Sequence, residues 1–151
     1  MATISAETSE TITFDAPLSE VWALLADPEA AGSHIPDLVS IEALGDHRYA
    51  YRFEPVGFKS ISFEPQYTAK FTTEPDSRIR WQAEPGGNLR QSGEWRLEAA
   101  GDAQTRAELH VEVEAYLPVP RLLKGAAAPF FRDQFRRTIQ DWVAGLQSAL
   151  S

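Results

Sequence analysis

The 151-residue chain is predicted to adopt an α+β fold, a curved antiparallel sheet of about seven strands wrapped around a long C-terminal helix, with two short helices after strand one. Three observations predict it. Hydrophobicity alternates with a period of two from Val39 to Tyr116, and Gly and Pro punctuate that stretch repeatedly. From Val119 to Leu150 the apolar spacing changes to three and four.

The first strand is read at Thr8 to Phe14, where Ile12 and Phe14 lie on one side and Thr11 and Thr13 on the other. Asp15, Ala16 and Pro17 then open a short helix. Its Leu18, Val21, Trp22 and Leu25 share a face, and Asp27-Pro28 interrupts it. Pro28 also starts a second helix, Glu29 to His34, which stops because Pro36 pushes Ile35 out of the helical region.

Gly45-Asp46, Pro55 with Gly57, Glu64-Pro65, Pro75-Asp76, Gly86-Gly87-Asn88 and Gly101-Asp102 are turn signals that bound about six further strands. One face of these strands is apolar, as in Tyr49, Tyr51 and Phe53, then Tyr67, Ala69 and Phe71, then Ile79 and Trp81. The alternate positions carry Arg52, Lys70, Arg80, Arg96, Glu108, His110, Glu112 and Glu114, so that face belongs in water. The apolar face needs a cover, and the last segment supplies it. Leu123, Ala127, Phe131, Phe135, Ile139, Trp142, Leu146 and Leu150 form one helical stripe, with Arg132, Arg136, Arg137 and Asp141 off it. Pro129 removes a bond to Gly125 and predicts a kink or break near Gly125 to Pro129.

Composition excludes several classes. With 43% hydrophobic and 24% charged residues the chain reads as one globular domain, residues 1–151. It has no Cys, which excludes disulfides, thiolate zinc sites and a cysteine nucleophile. Met1 to Glu10 has neither a basic n-region nor an apolar h-region, so a cytoplasmic location is expected. Residues 1–118 hold 20 acidic and 9 basic side chains, against 2 and 5 in residues 119–151. So acidic a surface repels phosphodiester backbones, and nucleic acid is not an expected partner. The basic segment reads as the solvated face of a packed helix, so membrane association is disfavoured. An open edge strand would offer a route to a homodimer.

Phe14-Asp-Ala-Pro17 leading to Val21-Trp22-Ala-Leu24-Leu25-Ala-Asp27-Pro28, Ile35-Pro36-Asp37 with Ile41-Glu42-Ala-Leu44-Gly45-Asp46, Gly93-Glu94-Trp95, and Leu117-Pro118-Val119-Pro120 follow one another in order. Taken with the element order, they resemble the helix-grip fold of the START-like (SRPBCC) superfamily, in particular its bacterial polyketide cyclase/dehydrase-like branch. The likeness covers nearly the whole chain. It implies a pocket between sheet and long helix for a greasy molecule, and it carries no shared catalytic triad.

The residues themselves point the same way. A sheet gripping a helix either fills the space between them or leaves a cavity. Here the inward face mixes aromatics with groups that can hydrogen-bond, namely Tyr49, Tyr51, Tyr67, Trp81, Gln91 and Trp95. A hydroxyl or amide buried without a partner costs about 1–3 kcal/mol, so these groups call for water or a ligand oxygen. Phe53, Phe63, Phe71, Tyr116, Phe131 and Phe135 complete the candidate lining. The alternative is a solid core in which each tyrosine oxygen reaches the rim.

His34, at the end of the second short helix, is the candidate acid or base, set against a simple role as a helix-terminal residue. His34, His47 and His110 are far apart in sequence and no ligand spacing is seen, so no metal and no cofactor is expected. Glu112 and Glu114 stand two apart on a strand, but with His110 they should face solvent. The chain is therefore expected to bind a small hydrophobic or aromatic ligand such as a lipid, quinone or polyketide-like molecule, gated by the loops near Val56-Gly57-Phe58 and the broken front of the last helix. The alternatives are a cyclase or dehydratase acting on such a ligand, and a protein-interaction module.

Overall fold

Thirteen consecutive residue pairs join the first strand to the last in a computed structural model that describes residues 2–150. In chain order the elements are β1 (Ala2–Phe14), α1 (Leu18–Leu25), α2 (Pro28–Gly32), β2 (Leu38–Gly45), β3 (Arg48–Phe53), β4 (Val56–Phe58), β5 (Ile61–Phe63), β6 (Gln66–Glu74), β7 (Arg78–Glu84), β8 (Leu89–Ala99), β9 (Thr105–Leu117) and α3 (Lys124–Ala149). Seven strands form one antiparallel sheet in the order β1-β9-β8-β7-β6-β3-β2, and β4 and β5 pair separately. This is the expected α+β helix-grip architecture.

The turn residues perform as their chemistry requires. Gly45, Asp46 and His47 all take positive φ between β2 and β3, and Gly86 and Gly87 do so before β8. Gly93 on β8 lies opposite Trp81 on β7, and a Cβ there would come within 2.2 Å of Trp81 Cζ2. Only glycine lets that indole lie flat against the sheet.

Asp27 caps α2, its carboxylate accepting from the N–H groups of Glu29 at 3.1 Å and Ala30 at 3.3 Å. Ala127, Ile139, Trp142 and Leu146 of α3 are buried, as the stripe requires. Arg132 Nε donates to the Ser5 carbonyl at 3.0 Å and Gln147 Nε2 to that of Thr13 at 3.3 Å, which fastens α3 along β1. The indole N–H of Trp142 donates to the Ala31 carbonyl at 2.8 Å, tying α3 to α2.

Five expectations need correction. β1 starts at Ala2 rather than Thr8, because small Ala2 and Ala6 give little apolar signal although Ala2 and Ile4 are buried. The second helix ends at Gly32, before His34. Val56-Gly57-Phe58 is strand β4 rather than a loop, and its hairpin packs on α3 through Phe58–Phe130 and Phe63–Phe131, with ring centroids at 5.3 and 6.2 Å. Helix α3 runs unbroken through Pro129. The bond lost there would go to Gly125, the second residue of the helix, in a turn that is largely in water. The long helix starts later than expected, at Lys124, after a 3-10 turn at Arg121–Leu123.

Candidate functional site

The concave side of the sheet carries a continuous run of rings. Tyr51 on β3 and Tyr67 on β6 are register partners, and their rings stack at 4.7 Å with 12° between planes. Phe53 stacks on Tyr67 at 5.9 Å, and Phe71 on Trp81 at 5.9 Å. From α3, Trp142 meets Trp81 and Trp95 edge-on at 6.2 and 5.7 Å. Alternation along neighbouring strands puts these rings on one face, and the helical stripe closes over them.

The closure is incomplete and leaves two lobes. The inner lobe, about 60 Å³, lies between the sheet, α2 and α3, with Tyr51, Tyr67, Trp81, Gln91, Trp95 and Trp142 in its walls. The outer lobe, about 120 Å³, opens between β1, β9, the β4–β5 hairpin and the front of α3, with Phe63, Leu89, Ala115 and Phe131 in its walls. Phe53, Tyr67, Gln91, Phe135 and Thr138 line both and form the waist between them. No charged side chain lines the inner lobe, whereas Asp37, Glu54 and Arg132 border the outer one. The interior is thus neither solid nor spacious. The inner lobe alone has room for about two waters at ~30 Å³ each, and the two together slightly exceed the ~150 Å³ that holds one benzene ring in an engineered core.

Three polar groups gather on the β3–β6–β8 wall. Tyr67 donates its hydroxyl proton to Gln91 Oε1 at 3.1 Å. The Tyr51 hydroxyl makes no hydrogen bond among the described residues, and Thr138 spends its hydroxyl on the Gln134 carbonyl at 2.9 Å. Burial raises the pKa of the Tyr51 hydroxyl well above its ordinary value of 10.0, with nearby Tyr49 adding to it. Burial does the same to Tyr67, with Tyr51 the second cause. Both stay neutral donors at physiological pH. The unfolded chain gives up these protons near pH 10 and the folded one only above it. Stability in urea is therefore expected to be level, as far as these groups decide, up to about pH 9 and to fall as pH rises through 10. A Tyr51→Phe chain should lose part of that fall, and an unchanged alkaline limb would count against the burial argument.

Of the residues singled out in the sequence, Tyr51, Phe53, Tyr67, Phe71, Trp81, Gln91, Trp95 and Phe135 line the inner lobe, and Phe63 and Phe131 the outer. Three lie elsewhere. Tyr49 shares the concave face but lines neither lobe, packing edge-on against Phe71 at 5.6 Å. Tyr116 is on the opposite face of β9, donating to Glu114, since Ala115 and Leu117 are the residues of that strand that turn inward. His34 lines neither lobe. Its N–H caps α2 through the Ala31 carbonyl at 3.3 Å, and it faces Gly145 of α3, where a Cβ would lie 3.4 Å from its own. The wall formed by Pro28, Ala31 and Gly32 was missed, as was Thr138, although Phe135, Thr138, Ile139 and Trp142 follow helical spacing.

One group on the convex face could present three metal-ligand atoms among the described residues, namely Glu7, His110 and Glu112. No sequence spacing announces it, because Glu7 and Glu112 meet only as register partners of β1 and β9. His110 Nε2 lies 3.1 Å from Glu112 and 3.7 Å from Glu7, and its Nδ1 lies 2.7 Å from Ser9 Oγ. The imidazole thus bridges Ser9 and Glu112 by hydrogen bonds, with the Glu7 carboxylate nearby, in an exposed network.

A family described as polyketide cyclase / dehydrase and lipid transport matches residues 5–149. No curated protein matches the sequence. Among solved structures, a START superfamily protein from Mycobacterium smegmatis is 15% identical with a TM-score of 0.73, over 95% of this chain and 96% of that one. The Zhui aromatase/cyclase from Streptomyces sp. R1128 is 17% identical at 0.71, covering 97% and 93%. A point mutant of Thalictrum norcoclaurine synthase, in complex with a transition-state analogue, is 13% identical at 0.62, covering 99% and 98%. At these identities the likeness is one of fold. Among the described residues no helix is long and apolar enough to cross a membrane.

Proposed function

This chain belongs to the polyketide cyclase/dehydrase and lipid-transport family, and on that premise we propose that it binds a small hydrophobic or aromatic molecule between the sheet and α3. The observation that carries this reading is a two-lobed apolar cavity whose inner walls hold rings and a few hydrogen-bonding groups but no charge. Burial of apolar ligand surface at about 25 cal/mol per Å² supplies micromolar affinity after entropic losses. Acid–base catalysis of cyclisation or dehydration asks for more. It needs a group that gains or loses a proton near neutral pH beside the ligand, whereas the titratable side chains of the inner lobe are Tyr51 and Tyr67, whose pKa values burial raises, and Asp37 and Glu54 stand only at the outer lobe.

Native mass spectrometry of gently purified protein is expected to reveal a copurified apolar molecule, and calorimetric titration with propylbenzene to show uptake. Trp81→Ala and Tyr51→Ala each remove cavity wall and should weaken that uptake roughly tenfold. Uptake unaltered in both would take the cavity out of the reading.

A further inference from the structure

We infer that the site selects an uncharged single-ring aromatic ligand carrying one hydroxyl or carbonyl oxygen, which Tyr51 and Gln91 recognise on the wall of the inner lobe. This rests on the proposed binding function and narrows it. Size is the first argument. The lobes together offer little more than the ~150 Å³ known to hold a benzene ring, so a fused polycyclic or a long acyl chain does not fit unless Phe135 moves.

Hydrogen bonding is the second. Tyr51 is 4% exposed, yet its hydroxyl has no partner among the described residues. Among the described residues no fully enclosed side-chain polar atom lacks a partner, so this hydroxyl is not sealed in, and Tyr51 is a wall residue of the inner lobe. Gln91 spends its carbonyl oxygen on Tyr67, which leaves its amide N–H groups to donate. Because Tyr51 and Tyr67 are stacked register partners, their rings share one face of the sheet, where Tyr67 reaches Gln91 and all three residues line the inner lobe. Both free groups on this wall can donate, the Gln91 amide only so, and an oxygen able to accept is the ligand atom that suits both.

Charge is the third. With no ionised side chain in the inner lobe, a carboxylate or ammonium would be buried uncompensated, at a cost that cancels the gain from apolar contact. The raised pKa values of Tyr51 and Tyr67 keep this wall neutral as well.

Three ligands on one frame test this: 4-propylphenol, propylbenzene and 4-propylbenzoate, titrated calorimetrically at pH 7 into the wild-type chain and into Tyr51→Phe. The phenol and the hydrocarbon are expected to bind and the benzoate to fail. In Tyr51→Phe the ratio of phenol to hydrocarbon affinity should fall roughly five- to tenfold while propylbenzene binds as before. An unchanged ratio, or benzoate binding that equals the phenol's, overturns the oxygen assignment and leaves the cavity reading intact. Failure of all three beside a copurified larger apolar molecule overturns the size assignment alone. Failure of all three in a chain that copurifies with nothing overturns both. A cooperative thermal transition in Tyr51→Phe confirms that the variant is folded.

Discussion

Replacing Trp142 by Ala is expected to lower stability by roughly 3–5 kcal/mol, and Tm by roughly 6–20 °C, read by thermal and urea unfolding. This side chain joins three layers at once. Its ring meets Trp81 and Trp95 on the sheet, and its N–H holds the Ala31 carbonyl of α2. Truncation empties the space between those two indoles and releases α2 from α3 together. Trp142→Phe keeps an aromatic ring and forfeits the indole donor, so its cost should be about 1–2 kcal/mol. Equal losses in the two variants would show that the hydrogen bond, and not the packing, carries the contact.

Phe135→Ala is expected to change what the cavity admits. Phe135 lines both lobes, so its removal merges them. Room for a second ring buries on the order of 50 Å² more ligand surface, about 1.3 kcal/mol and close to tenfold in Kd. Binding of 2-naphthol should therefore tighten about tenfold in this variant, while 4-propylphenol gains nothing and loses contact with the ring. Because Phe135 is half-buried, the stability cost should lie below the ~3–5 kcal/mol of a fully buried Phe→Ala change. If the wild-type chain already takes 2-naphthol as tightly, Phe135 is not the divider.

The rings of the site were legible because period two and period 3.6 each place side chains without knowledge of the partner. Tyr51, Tyr67, Trp81 and Trp95 follow from strand parity, and Phe131, Phe135 and Trp142 from the helical stripe. Parity also held the answer for Tyr116, which occupies an even position on a strand whose odd residues turn inward. His34 was another matter. Its place in chain order is beside the cavity, yet it packs against Gly145 of α3, and no local pattern reports a helical contact 111 residues later. Pro28, Ala31 and Gly32 were invisible for a different reason, since small residues give no hydrophobic signal while allowing close approach. A Cβ on Gly32 would lie 2.2 Å from Ile41 Cδ1. The Glu7, His110 and Glu112 group depends on the register of β1 against β9, which only the folded sheet defines.

The pairing of β1 with β9 also bears on how the protein is made. Ala2 meets Leu117, and Ser5 receives Arg132. β1 therefore cannot pair until β9 is present, with seven other strands between the two in the chain, and until then it has no partner in the sheet. A joint between strands so far apart along the chain is slow to find, and non-local pairing of this kind points to folding in milliseconds to seconds rather than microseconds.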